Sequence, residues 1–135
     1  MPGKLSFKNT FSALEQAMNI AKQRHSLISG NISNSQTPDY RPKEIDFKTA
    51  MARALNSGQK IKTAKTDPRH IDVGTNSISG VEPFEEKGDW NGYNWVNIDR
   101  EMTKLLENNS RYKMAAEMLL RRVSILKEVI REGGR

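Results

Sequence analysis

The sequence predicts a mainly α protein in which two long terminal helices pair as an antiparallel coiled coil, with a short helix and a small extended or β-hairpin region between them. Three observations carry this. Apolar residues step by four and three at both ends of the chain, the spacing of a helical seam rather than of a strand. No glycine or proline falls between Phe7 and Ser29 or between Ile98 and Glu132, whereas both gather in the middle. Only 36% of the 135 residues are hydrophobic and 28% are charged, which suits a seam better than a thick core. The expected organisation is an N-terminal coiled-coil helix over 1–36, a middle segment over 37–96 and a C-terminal coiled-coil helix over 97–135.

In the first helix, Phe7, Phe11, Leu14, Met18, Ala21, His25, Ile28 and Ile32 fill almost four heptads. His25 falls on the seam and reads as a packing residue rather than a ligand. From Phe7 to Asn34 such a helix runs about 42 Å. Pro38 ends it, because the residue before a proline is pushed out of helical geometry.

The far end repeats the device through Ile98, Met102, Leu105, Asn109, Tyr112, Ala116, Leu119, Val123, Leu126 and Ile130. Asn97 is the expected N-cap, Asp99 and Glu101 favour the helix dipole, and Gly133-Gly134 stops the helix. Asn109 is the one amide in this seam, placed to fix register or to hold a bend or a water.

Between the helices, Asp46 to Asn56 reads as about three helical turns with Phe47, Met51, Ala54 and Leu55 on one face. Residues 59–70 are basic and polar and read as a mobile loop. Short β-prone stretches follow at 71–73, 77–79 and 93–96, punctuated by Gly74, Gly80, Pro83, Gly88 and Gly92.

The net charge of +6 is uneven: residues 41–70 hold eight basic against three acidic residues, and residues 71–90 hold Lys87 against five acidic ones. No basic stripe interleaved with aromatics marks a nucleic-acid surface. There is no cysteine, so disulfides and thiolate metal sites are excluded. No apolar run approaches the ~18 residues of a membrane span, and the charged opening does not read as a cleavable secretory signal. His25 and His70 lie far apart in sequence, and neither anchors a cluster with metal-ligand spacing. Glu85, Glu86 and Asp89 read as solvated loop acids, and no phosphate-cradling glycine motif is present. No catalytic residue, cofactor, metal or small-molecule substrate is expected.

The stretch from Ser29 to Tyr40 has a physical reading of its own. Asn31 and Asn34, three apart on the last helical turn, can cap it or bond a neighbouring chain, and Thr37-Pro38-Asp39-Tyr40 makes a sharp exit. The same stretch resembles the signature of the flagellar axial proteins (rod, hook and hook-associated subunits), in which a long N-terminal helix ends in an A-N-x-A-N-x-x-T-P-G-[YF]-like motif. Asn31, Asn34, Thr37, Pro38 and Tyr40 match it, Ser33 replaces an alanine and Asp39 replaces the glycine. Asp tolerates left-handed geometry better than most residues, so the turn is expected to survive. Asp46-Phe47, Asp67-Pro68-Arg69-His70-Ile71 and Asn97-Ile98-Asp99-Arg100-Glu101-Met102, with Asn108 and Tyr112, extend the resemblance to the flagella basal body rod protein family. The short length fits its proximal rod, FlgB type, with the FlgC type next.

That resemblance implies a structural subunit, not an enzyme. Such subunits are exported without a cleaved signal peptide and polymerise in the periplasmic rod of the basal body around the central export channel. The implied partners are copies of itself, rod proteins of the FlgC, FlgF and FlgG types, a FliE-type adaptor, the membrane ring and the export gate. Heptads and positive charge alone also suit a cytoplasmic coiled-coil adaptor or a basic helical nucleic-acid-binding protein, but neither accounts for the motif.

Antiparallel pairing sets Phe11, Leu14, Met18 and Ile28 against Leu105, Leu119, Val123 and Leu126. Apolar residues remain beside the seam: Ala13, Ala17, Ile20 and Leu27 on the first helix, with Leu106, Leu120, Ile125 and Val129 on the second. These flanks are expected to meet neighbouring subunits, the other reading being a broader intramolecular seam that includes the 46–56 helix.

Overall fold

The computed structural model describes residues 2–56 and 82–134. The loop expected over 59–70, the Asp67–Ile71 stretch and the extended segments at 71–73 and 77–79 lie outside the described residues. The described residues form three helices and one small sheet, in the order α1 (Pro2–Ser33), β1 (Lys43–Glu44), α2 (Phe47–Asn56), β2 (Phe84–Glu85) and α3 (Ile98–Gly133). None of the described helices is long and apolar enough to cross a membrane.

Helix α1 begins at Pro2, earlier than the first seam residue, because proline is pre-set for the first helical position. Its exit is closed by side chains. Asn34 donates from Nδ2 to the Gly30 carbonyl at 2.8 Å, and its Oδ1 accepts from the Thr37 hydroxyl at 3.1 Å. Asp39 then takes φ +57°, the left-handed geometry expected where the motif usually has glycine. Helix α2 is capped by Asp46, whose carboxylate accepts the Thr49 N–H at 3.1 Å. The cap on α3 is Asn97, accepting the Arg100 N–H, with Asp99 and Glu101 in the first turn.

The strands pair antiparallel, Lys43 with Glu85 and Glu44 with Phe84. The pairing therefore joins the two connectors to each other; of the extended or hairpin region expected over 71–96, the part before residue 82 lies outside the described residues. Residues 93–96 form no strand because asparagine side chains take over their backbone groups. Asn91 Oδ1 accepts the N–H groups of Tyr93 and Asn94 around Gly92, which sits at φ +92°. The fully buried Asn94 donates to the Ser35 and Thr37 carbonyls and accepts from Val96 N–H. The Asp39 N–H to Tyr93 and the Trp95 N–H to Tyr40 complete the join, each at 3.1 Å.

Helices α1 and α3 touch in reverse order along their lengths. Asn31 meets Glu101, Asn108 meets Ala21, and Phe11 and Met18 line a groove with Leu119 and Val123. The termini of the chain thus lie toward one end and the joined connectors form the other. Helix α2 lies on the side of α1, burying Ile20, Ile45 and Ala50 with Leu27, Phe47, Met51 and Ala54 around them. Leu55, read from sequence as part of that face, is exposed.

Candidate functional site

At the connector end five chain segments meet on buried polar groups. Arg24 on α1 holds Glu44 through two bonds, Nε to Oε1 at 2.8 Å and NH2 to Oε2 at 3.1 Å. Lys104 on α3 reaches Glu44 at 3.3 Å, Glu101 at 2.7 Å and also Glu86, which in turn pairs with Arg100 at 2.8 Å. Burial alone would push the Glu44 carboxyl up. The Arg24 fork, the Ile45 N–H and the charges of Arg24 and Lys104 outweigh it and hold the pKa below its ordinary value. Burial likewise opposes the charge on Lys104, but its hydrogen bonds to Glu101 and Glu86 raise the pKa. Both groups stay charged because each buried ion has partners of opposite sign in bonding geometry.

Asn31 ties this network to the motif. Its amide donates to Glu101 at 2.8 Å and to the Lys43 carbonyl at 2.9 Å, and its Oδ1 accepts the Lys43 N–H and the Tyr40 hydroxyl. Of the two roles open to Asn31 and Asn34, Asn34 caps the helix and Asn31 bonds within the chain. Thr37 presents its carbonyl to Asn94, and Pro38 is exposed at the turn. The arrangement holds chain segments together; it has no nucleophile poised beside a base.

The seam residues fall in three groups. Ile28 is buried; Phe11, Leu14, Met18, Leu105, Leu119 and Val123 are half-buried; Leu126 is 41% exposed. Several sequence expectations are corrected. Ile20 is fully buried under α2 and so does not face a neighbouring subunit, and Leu27 beside it is half-buried. The buried amide is Asn108 rather than Asn109, donating to the Ala21 carbonyl at 2.7 Å. Its Oδ1 finds no partner among the described residues. Met102, Tyr112 and His25, all assigned to the seam, are exposed. Glu86 is ion-paired rather than solvated.

One cause underlies the α3 corrections. The face of α3 turned to α1 near the connectors is formed by Glu101, Lys104 and Asn108, one residue out of phase with the apolar series. Counting only apolar residues put the seam about 100° away. The missed signal was a polar triplet at helical spacing, together with Arg24 and Glu44, whose charges are complementary. By contrast Ala13 and Ala17 are half-buried, and Leu106, Leu120, Ile125 and Val129 are exposed, the first two on one flank of α3 and the last two on the opposite flank.

No family model matches the chain. Curated relatives do, along nearly all of their length. It is 30% identical over 133 residues to flagellar basal body rod protein FlgB of Bacillus subtilis (strain 168), covering 94% of this chain and 97% of that one. The FlgB of Cereibacter sphaeroides is 30% identical over 129 residues, covering 93% and 96% of the two chains. That of Yersinia enterocolitica is 26% identical over 125 residues, covering 88% and 91%.

Proposed function

The chain belongs to the FlgB family of flagellar basal body rod proteins, a structural subunit and not an enzyme, and we propose that it polymerises through its terminal helices around the central export channel of the proximal rod. In this reading α1 and α3 pair as an antiparallel coiled coil within one chain, through Phe11, Leu14, Met18 and Ile28 against Leu105, Leu119, Val123 and Leu126. The motif of Asn31, Asn34, Thr37, Pro38 and Tyr40 locks the connectors onto the end of that pair. The units 1–36, 37–96 and 97–135 then act as helix, clasp and helix. Export precedes assembly and uses no cleaved signal. The partners are copies of the chain, rod proteins of the FlgC, FlgF and FlgG types, a FliE-type adaptor, the membrane ring and the export gate. Nothing in the relatives supports a cytoplasmic adaptor or a nucleic-acid-binding protein.

The observation that carries the polymerisation reading is the exposed apolar surface on both flanks of α3. Leu106 is 70% and Leu120 68% exposed on one flank, Val129 60% and Ile125 49% on the opposite one, on a helix whose inner face already has α1. Apolar surface of that extent on a rigid helix marks an interaction face. The small Ala13 and Ala17 on α1 allow a neighbouring helix to approach closely. Replacing Leu106, Leu120, Ile125 and Val129 together by serine is expected to leave the helices folded and the chain exported. The chain should then fail to join the rod, leaving cells non-motile. Motile cells with complete basal bodies would sink the proposal.

A further inference from the structure

At the connector end a groove of about 520 Å³ opens between residues 86–97 and the first turn of α3. Its lining includes Trp90, Trp95, Ile98, Asp89 and Asp99. Glu86 and Glu101 in the same lining are neutralised by Lys104 and Arg100, whereas Asp89 and Asp99 have no ion-pair partner among the described residues. Trp90 is 49% exposed and Ile98 46%, so the groove offers apolar surface beside uncompensated negative charge. The aromatic pair already holds one cation: the Arg41 guanidinium lies 4.6 Å from the Trp95 ring centre, and the Trp90 ring sits 4.5 Å from that of Trp95 at a tilt of 57°. The dipole of α3 accounts for an acid at Asp99, but not for Asp89 or a half-exposed tryptophan.

The opposite end of α3 has the complementary character. Residues 82–101 carry six acidic and two basic residues, and residues 121–135 carry five basic and two acidic. Leu120, Ser124, Lys127 and Arg131 recur at steps of four, three and four, which places them on one exposed helix face. That face is an apolar and cationic stripe, separated from the groove on its own chain by most of α3, which is 36 residues or about 54 Å long.

We infer that the groove receives this cationic end of α3 from a second copy of the chain, so that subunits meet end to end. The contact sets Lys127 and Arg131 against Asp89 and Asp99, with the alkyl stems of the cations on Trp90 and Ile98. A groove and a stripe at opposite ends form a heterologous contact, which propagates instead of closing into a dimer. The inference deepens the rod reading and rests on it, while naming a contact distinct from the lateral one.

The chain has no cysteine of its own, so Ile98→Cys with Ser124→Cys gives a clean test. The two positions lie about 39 Å apart on one helix, so a disulfide can form only between chains. Oxidation of the purified double variant is expected to give a ladder of dimers and longer multimers, and each single variant none. Adding Asp89→Lys and Asp99→Lys should cut the ladder roughly tenfold through like-charge repulsion. Adding Lys127→Glu and Arg131→Glu to that chain should restore it. Circular dichroism confirms that every variant is folded. No ladder, a ladder insensitive to the charge reversals, or dimers from either single variant would overturn the inference. An absent ladder alongside a fourfold serine variant that still fails to enter the rod removes the end-to-end contact and leaves the rod reading intact.

Discussion

Glu44 shows how a buried charge is made tolerable in this chain. Its carboxylate accepts from Arg24 through two bonds and from the Ile45 N–H, and lies 3.3 Å from Lys104. Its folded pKa is depressed, so its contribution to stability is complete above the ordinary value of 4.5 and is lost as pH falls through the folded value. Lys104 has the opposite sign: its raised pKa gives stability that is complete below its ordinary value and lost as pH rises through the folded one. Urea titrations between pH 6 and 3 are therefore expected to show a stability loss on the acid side. Arg24→Met should cost about 3–5 kcal/mol near neutrality, because it leaves Glu44 without its fork, and should flatten that acid limb. An acid limb unchanged in this variant would place the titrating group elsewhere.

At the scale of elements, each helix end is specified by a short polar side chain that sequence makes visible: Asp46 for α2 and Asn97 for α3. What each helix faces is less visible, as α1 illustrates. It serves two partners: the Ala21 carbonyl accepts from Asn108 on α3, while Ile20 and Leu27 pack toward α2. Ile20→Ala should therefore cost about 2–5 kcal/mol through the cavity it leaves in a fully buried site. Ile125→Ala, on an exposed flank of α3, should stay within about 0.5 kcal/mol in the isolated subunit. Comparing the two by chemical denaturation separates core from contact surface; equal losses would mean that Ile125 is also core. Between elements, Gly88 is fixed by proximity, since a Cβ there would stand 2.7 Å from the Trp95 carbonyl oxygen.

For the whole molecule, the reverse-order packing of α1 and α3 leaves one end closed by a polar clasp and the other carrying the chain termini. The apolar part of the pairing lies toward the termini, where Leu119 and Val123 line a groove with Phe11 and Met18. Leu119→Asp puts a charge into that groove and is expected to lower the cooperative melting transition and the helical signal together. Melting unchanged from that of the parent chain would show that the clasp alone holds the helices.

The sequence by itself determined the rough extent of the described helices, the Asn97 cap, the turn at Asp39 and the family. All of these are local: a cap acts over three residues, a left-handed turn on one, and a motif is read in order. Tertiary structure alone decided that β1 pairs with β2 across the chain, that Ile20 belongs to the core, and that α3 turns Glu101, Lys104 and Asn108 inward. The reason is physical. A charged residue reads as solvent-facing until its partners are known, and the partners of Lys104 lie on β1, on the segment after β2 and on α3 itself. Only when the chain brings Arg24, Glu44, Glu86 and Lys104 within bonding distance does a polar face become cheaper to bury than to expose, and the seam shifts by one residue to meet it.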